Sequence, residues 1–139
     1  MMSETDFLDK VKTDYTNPIE TAIRYIQLKY QEPITLKEVA NHVYLSPSHF
    51  SRLFKSETGT TFIEYLTRYR VEKSKGLLKI TSLPIEVISN YMGFMSASYF
   101  STTFKRLEGK TPSEYRKLFD HFTNGYRKNP TEVQNLVSE

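Results

Sequence analysis

Two stretches of the chain place short polar side chains beside basic ones at helical spacing, a combination suited to contact with a nucleic acid. Basic side chains neutralise phosphates, and short side chains let a helix approach base edges closely. A hydrophilic helix surface without a partner would look similar, so the surrounding elements must decide between these interpretations. The residues are Ser48, Ser51, Arg52 and Lys55 in the first stretch and Ala97, Ser98, Ser101, Thr102 and Lys105 in the second.

Both stretches belong to an internal repeat. A shift of fifty places sets residues 46–65 over residues 96–115 with ten identities in twenty positions. Unrelated sequences of average composition would give about one or two. Upstream, residues 39–43 pair with residues 88–92 at an offset of forty-nine, so one residue is inserted just before Ser96. We therefore predict a duplicated unit, with the insertion in a turn, where a change of length is tolerated.

The first copy is predicted to contain two short helices joined by a tight turn. Thr35 and Glu38 have the spacing of a capping box, which indicates the start of the first helix. Ser46, followed by Pro47, indicates the N-cap of the second. The apolar residues that this second helix is expected to bury are Phe50, Leu53 and Phe54.

The second copy follows the same pattern. Pro84 is expected to open its first helix, Gly93 to allow the turn, and Ser96 to cap its second helix. Phe100 and Phe104 are then expected to point inward. The polar and basic residues of both copies are left on the exposed side.

Further helices complete an all-α prediction. Helices are expected at residues 18–30, at residues 61 to about 79, and from a capping box of Thr111 and Glu114 onward. A helix of about eighteen residues spans roughly 27 Å. With part of each copy added, the two exposed helices are expected to lie about 34 Å apart, one turn of B-DNA.

Composition and charge narrow the class of protein. The 139 residues suit one ordinary domain or two very small ones, and the absence of cysteine excludes disulfides and thiolate metal sites. His42, His49 and His121 lack the spacing of a metal site. The net charge is only +3, but residues 49–79 carry seven bases against three acids. The chain has no long apolar run and its acidic N-terminus is unlike a signal peptide, so we expect a cytoplasmic protein.

The sequence also carries a specific motif. Residues 93–116 read GF-x-S-x-SYF-x-x-x-FK-x-x-x-G-x-TP-x-x-YR. Together with residues 34–78, this pattern resembles the DNA-binding domain of AraC/XylS-type transcription regulators, and the resemblance extends over about residues 18–117. It implies two helix-turn-helix motifs joined by a long helix, with the second helix of each motif reading an adjacent major groove.

The resemblance also implies roles for individual residues. The residues expected to read bases are Ser48, Ser51, Arg52, Ala97, Ser98, Ser101 and Thr102. The residues expected to contact phosphate are Ser46, His49, Lys55, Ser96, Tyr99, Lys105 and Arg106. No residue is assigned to a catalytic, cofactor-binding or metal-binding role.

Three positions depart from the family pattern. Thr102 stands where many relatives have arginine, and Ser74 and Ser89 stand where the family usually has alanine. A bidentate contact from arginine to guanine contributes about 1–3 kcal/mol of discrimination. We therefore expect Arg52 and the first motif to dominate sequence reading.

The resulting division of the chain has five parts. They are a linker or extension (1–16), a first helix-turn-helix subdomain (17–60), a linker helix (61–80), a second subdomain (81–123) and a tail (124–139). The expected function is sequence-specific binding of double-stranded DNA by a transcription regulator, with activation as the favoured mode. RNA polymerase and a sensor or receiver domain of a longer parent protein are candidate partners. The chain is expected to be either the output domain of such a longer regulator, which the acidic first 16 residues favour, or a standalone regulator.

Three other classes of function compete with this hypothesis. A helical protein-interaction module would explain paired helices, but such repeats generally need at least three copies. Binding of RNA, or of nucleic acid without sequence preference, would explain the charge, but no aromatic stacking platform is evident. An enzyme is disfavoured because the sequence has no nucleophile elbow, phosphate loop or paired-acid motif. No cofactor and no membrane partner are expected.

Overall fold

A computed structural model describes residues 17–120. Its helices are α1 (Pro18–Lys29), α2 (Leu36–His42), α3 (Pro47–Thr58), α4 (Phe62–Ile80), α5 (Ile85–Tyr91), α6 (Ala97–Glu108) and α7 (Pro112–Lys117). The prediction of an all-α fold, with two helix-turn-helix motifs and a long linker helix, is confirmed for these residues. The predicted N-terminal extension and tail, and His121, lie outside the described residues.

The chain divides into two compact units, and the boundary between them falls between Leu66 and Thr67, inside α4. In the first unit, α2 packs against α3, and α1 packs against both. In the second unit, α6 packs against α5 and α7. Each exposed polar stretch therefore lies on a helix that is held by the other helices of its own unit.

Each unit has its own apolar core. The core of the first is formed by Ile19, Ala22, Ile26, Ile34, Val39, Ala40, Val43, Phe50, Phe54, Phe62 and Leu66. That of the second is formed by Val71, Leu77, Leu78, Leu83, Ile88, Met92, Phe94, Phe100 and Phe104. The inward positions of the four phenylalanines in α3 and α6 are confirmed, whereas Leu53 is only half-buried. None of the helices in residues 17–120 combines the length and the apolar character needed to cross a bilayer.

The two capping boxes expected from the sequence differ in the structure. At the start of α7, the Thr111 hydroxyl accepts from the Glu114 amide and the Glu114 carboxylate accepts from the Thr111 amide, each at 3.2 Å. At the start of α2, the Thr35 hydroxyl accepts from the Glu38 amide at 3.1 Å, but the reciprocal bond is missing. The Glu38 carboxylate lies near the Tyr25 hydroxyl, and burial, followed by the negative charge of Glu38, raises the pKa of Tyr25.

The turn between the short helices of each unit contains one residue in the left-handed conformation. In the second unit it is Gly93, with φ 89°, as the sequence predicts. In the first unit the equivalent residue is Tyr44, with φ 62° and a side chain that is 83% exposed. The extra residue of the second unit is Met95, which lies in the connection between α5 and α6 and is 98% exposed. The inserted residue therefore lies in a turn, as predicted.

Candidate nucleic-acid interface

Helix α3 presents the first predicted set of site residues on its outer side, which we call the α3 face. Ser46 is the N-cap and its hydroxyl accepts from the His49 amide at 3.2 Å, while Pro47 occupies the first helical position. This local chemistry begins the helix at a defined residue. The members of the α3 face are Ser46, Ser48, His49, Arg52 and Lys55, which are exposed, and Ser51, which is half-buried.

The inner side of α3 fixes the direction in which that face points. Phe50 and Phe54 are fully buried, and both rings pack edge-on against Phe62, with centroids 5.9 and 6.0 Å apart. Phe54 also packs against Tyr65 at 5.4 Å. Aromatic rings in edge-to-face contact combine a large buried area with a preferred geometry. Rotation of α3 about its axis would break these contacts, so the α3 face remains exposed.

Helix α6 repeats this construction in the second unit. The Ser96 hydroxyl accepts from the Tyr99 amide at 3.0 Å, and Phe100 and Phe104 are fully buried. The Phe100 ring packs on Phe94 at 4.9 Å. The outer side, which we call the α6 face, consists of Ser96, Ser98, Tyr99, Thr102, Lys105 and Arg106, which are exposed, and Ala97 and Ser101, which are half-buried.

All fourteen predicted site residues thus lie on the outer sides of two helices, seven with a predicted base-reading role and seven with a predicted phosphate role. The structure groups them by unit, six on the α3 face and eight on the α6 face. No residue that the sequence assigns to either face is buried. Their roles in binding stay predictions.

The serines that depart from the family pattern are buried and hydrogen-bonded. Ser89 in α5 donates to the Ser96 carbonyl at 3.1 Å, and the same carbonyl accepts from the Phe100 amide. Ser74 in α4 donates to the Val71 carbonyl at 2.6 Å. A buried hydroxyl with a partner avoids the cost of desolvation. Ser89 in addition connects α5 to the cap of α6.

An ion pair that the sequence does not reveal holds the C-terminal end of α6. The Lys75 ammonium in α4 lies 2.8 Å from the Glu108 carboxylate and 2.9 Å from that of Glu72. Burial lowers the pKa of Lys75, but the hydrogen bonds to Glu108 and Glu72 outweigh that effect and raise it overall. Because Lys75 and Glu108 lie thirty-three positions apart, only tertiary structure brings them together.

The charged groups of the two faces are in different surroundings. Among residues 17–120, the side chains of Arg52 and Lys55 make no hydrogen bond or ion pair. Lys105 lies near Glu114. Hydrogen bonds from Thr111, and then the positive charges of Lys105 and Lys110, lower the pKa of that carboxyl group.

The structure brings a basic residue of α4 close to Tyr99, a proximity that the sequence does not reveal. Burial lowers the pKa of the Arg70 guanidinium in α4, and the nearby Tyr99 acts in the opposite direction. The Tyr99 ring also packs against Phe94, with centroids 6.0 Å apart. Tyr99 is thus held at the edge of the α6 face, with 52% of its surface exposed.

The described residues contain no metal centre. No group of three or more His, Asp or Glu side chains in residues 17–120 is placed to hold a metal ion. The two faces offer hydroxyl, methyl, guanidinium and ammonium groups, together with the His49 imidazole and the Tyr99 phenol.

Comparison with known proteins places this arrangement in a family. A family model described as a helix-turn-helix domain matches residues 39–118. A transcriptional regulator with an AraC-type DNA-binding domain from Chromobacterium violaceum has the same fold, with a TM-score of 0.69 and 27% identity, over 81% of this chain and 99% of that one. The chain belongs to the AraC/XylS family of transcription regulators.

Other AraC/XylS members are more similar in sequence. The C-terminal domain of AraT, a response regulator from Geobacillus stearothermophilus, is 39% identical with a TM-score of 0.70, over 73% of this chain and 84% of that one. The regulatory protein PocR of Salmonella typhimurium is 34% identical over 115 residues, which are 83% of this chain and 38% of PocR. The chain thus spans less than half the length of this curated relative.

Proposed function

We propose that this chain is the sequence-specific, double-stranded-DNA-binding part of a transcription regulator, with α3 and α6 as recognition helices that enter adjacent major grooves. The observation that carries the proposal is the duplication of one construction. Each unit has a serine-capped helix whose aromatic side is buried and whose short polar and basic side is exposed. Recognition helices of helix-turn-helix proteins contact base edges with their N-terminal residues.

The proposal divides the two faces by the chemistry of their side chains. Hydroxyl and methyl groups of both helices and the Arg52 guanidinium of α3 read base edges, whereas the N-cap hydroxyls, His49, Tyr99 and the basic groups one turn further on contact phosphate. The base-reading residues are Ser48, Ser51, Arg52, Ala97, Ser98, Ser101 and Thr102. The phosphate contacts come from Ser46, His49, Lys55, Ser96, Tyr99, Lys105 and Arg106.

The wider setting of the chain is part of the same proposal. We infer a longer regulator in which residues 1–16 connect a sensor or receiver domain to the subdomains at 17–60 and 81–123, with 61–80 as linker helix and 124–139 as tail. The similarity to AraT, a response regulator, supports a receiver domain. Activation through RNA polymerase in the cytoplasm, without a catalytic step by this chain, completes the proposed function. The second candidate is a helical protein-interaction module, since exposed helix faces also serve that role.

Titration of the protein with a random-sequence duplex at several salt concentrations tests the class of function. DNA binding predicts that log affinity falls linearly with log salt, with a slope of about −0.9 for each neutralised phosphate. Lys55→Ala should make the slope shallower by about one. Arg24→Ala is the matched control, because Arg24 lies on α1 and pairs with Glu20 at 3.5 Å. A slope near zero would contradict the proposal and favour the protein-interaction module.

A further inference from the structure

The α3 and α6 faces differ in the chemistry that they offer to a base pair, although the helices are copies of each other. We propose, resting on the DNA-binding function above, that α3 selects guanine through Arg52 and α6 selects thymine through the methyl groups of Thr102 and Ala97. The operator then has one half-site that requires guanine and one that requires thymine.

The proposed selection of guanine by α3 depends on a guanidinium group that has no hydrogen bond or ion pair among the described residues. Arg52 is exposed, lies in the second turn of α3, and makes no hydrogen bond or ion pair within residues 17–120. Its donors are therefore available without breaking a contact within the described part of the chain. Guanine offers two acceptors, O6 and N7, on its major-groove edge, and a guanidinium binds both at once. The neighbouring side chains Ser48 and Ser51 are too short to block this approach.

The α6 half depends on what replaces that arginine. Thr102 occupies the position equivalent to Arg52 and is exposed. The base-reading residues of α6 contain no guanidinium or ammonium group, since the other three are Ala97, Ser98 and Ser101. A serine hydroxyl bonds to bases of either kind and discriminates little. The remaining distinctive groups are methyl groups, and the group on the major-groove edge that they match is the C5-methyl of thymine.

The basic residues of α6 do not restore a guanine contact in this arrangement. Lys105 and Arg106 lie in the third turn of the helix, beyond the N-terminal residues that contact base edges in this class of motif. Lys105 has an identical equivalent in Lys55, so it does not distinguish the two helices. It also lies close enough to Glu114 to affect that carboxyl group. We therefore assign both to phosphate.

The experiment begins with selection of bound sequences from random DNA by the wild-type protein and by Arg52→Ala. The half-site that loses its guanine preference in the Arg52→Ala selection is the one that α3 reads. Deoxyuridine is then substituted for thymine in the other half-site, which removes only the methyl group. Burial of one methyl-sized group corresponds to about fourfold in affinity, so wild-type protein should bind about fourfold more weakly for each contacted thymine. Thr102→Ser keeps the hydroxyl and lacks the methyl, and should be less sensitive to deoxyuridine than wild type.

Matched substitutions in the first half-site provide the control. Replacing the contacted guanine by 7-deazaguanine removes the N7 acceptor, and should weaken wild-type binding while leaving Arg52→Ala unaffected. Deoxyuridine in that half-site should have little effect on either protein. Both variants change exposed side chains, so the fold is expected to persist, which helical circular dichroism verifies.

The outcomes separate this inference from the proposed function. Enriched sequences with a guanine requirement in both half-sites, or wild-type binding that is indifferent to deoxyuridine, overturn the inference while DNA recognition itself stands. A selection that enriches no sequence overturns the proposed function, and the inference with it. Two results together support the inference. Deoxyuridine weakens binding less in Thr102→Ser than in wild type, and the dependence on guanine is confined to the half-site that α3 reads.

Discussion

In each unit, one residue in the turn before the serine-capped helix has a positive φ. The type of this residue differs between the two units, and the difference affects the steric strain of the backbone. A left-handed conformation costs a residue with a Cβ atom about 1–2 kcal/mol, whereas glycine adopts it freely. Tyr44 bears this cost at φ 62°, and Gly93 avoids it at φ 89°. The Tyr44 side chain is largely exposed, so packing offsets little of the cost.

Removing the glycine from one turn and introducing a glycine into the other should therefore change the free energy of unfolding in opposite directions. Gly93→Ala should lower the free energy of unfolding by about 1 kcal/mol. Tyr44→Gly should raise it by about 0.5 kcal/mol, because relief of the strain exceeds the added entropy of the unfolded chain. Urea denaturation of each variant beside wild type measures both changes. A loss of stability in Tyr44→Gly would show that the tyrosine ring contributes to the turn.

Arg52 and Thr102 allow a comparison of the two motifs at the level of single side chains. Arg52→Ala should reduce the preference for operator over random DNA by a factor of about 5 to 150, which corresponds to one bidentate base contact. Thr102→Ala should have a smaller effect. Competition binding with labelled operator and unlabelled random duplex gives both ratios. The reverse order of effects would mean that the second motif dominates sequence reading.

At the scale of the helices, two glycines show that the room for a Cβ atom and the backbone conformation at a position affect stability separately. A Cβ atom added at Gly76, in the C-terminal part of α4, or at Gly109, the C-cap of α6, would meet no atom of another element within 4 Å. Gly76 has helical neighbours on both sides, whereas Gly109 has φ 78°. Alanine therefore fits into both sites but suits the backbone only at the first.

Gly76→Ala should raise the free energy of unfolding by about 1 kcal/mol, the difference in helix propensity between glycine and alanine. Gly109→Ala should lower it by about 1 kcal/mol because the C-cap of α6 is left-handed. Thermal and urea unfolding of the two variants provide the measurement. Destabilisation by Gly76→Ala would indicate that α4 needs its glycine for a reason other than local conformation.

The capping box of α7 should make stability depend on pH. Hydrogen bonds from Thr111 stabilise the charged form of Glu114 and lower its pKa in the folded state. A group with a lowered pKa stabilises the fold at pH values above its pKa in the unfolded chain, and that contribution disappears as pH falls through the folded value. Glu114→Gln should therefore lower the Tm at neutral pH, with a difference from wild type that shrinks in the acidic range.

Glu86→Gln is the matched control for this measurement. Glu86 also lies in the first turn of a helix, but α5 has no side-chain cap. Its substitution should change the Tm little, and without the same convergence toward wild type at low pH. If the two variants show the same pH dependence, the effect belongs to helix charge in general and not to the capping box.

At the scale of the whole chain, the parts of the fold that depend on local sequence could be predicted. The repeat, the serine caps and the buried phenylalanines follow from spacing and residue type, and Ser46 and Ser96 cap the helices as expected. The exposed faces were predictable because the same periodicity that buries Phe50 and Phe100 leaves the intervening residues outside.

The features that escaped prediction depend on contacts between distant residues or on a strained backbone. Glu38 lacks its reciprocal capping bond, and its carboxylate lies near Tyr25, thirteen positions earlier. Lys75 and Glu108 pair across two helices. Tyr44 adopts a conformation that residue type alone would assign to glycine. Such interactions arise only once the chain has folded, so local patterns do not contain them.

In α3 the buried side packs against the core and the exposed side carries the proposed DNA contacts. This arrangement has a consequence for the evolution of operator preference. Phe50 and Phe54 carry the packing, whereas Arg52 and Lys55 make no hydrogen bond or ion pair within residues 17–120. A mutation at either basic position changes the outer surface and leaves the scaffold intact. Under the proposed base-reading role of Arg52, a new base preference is accessible by a single substitution at that position, without an intermediate that fails to fold.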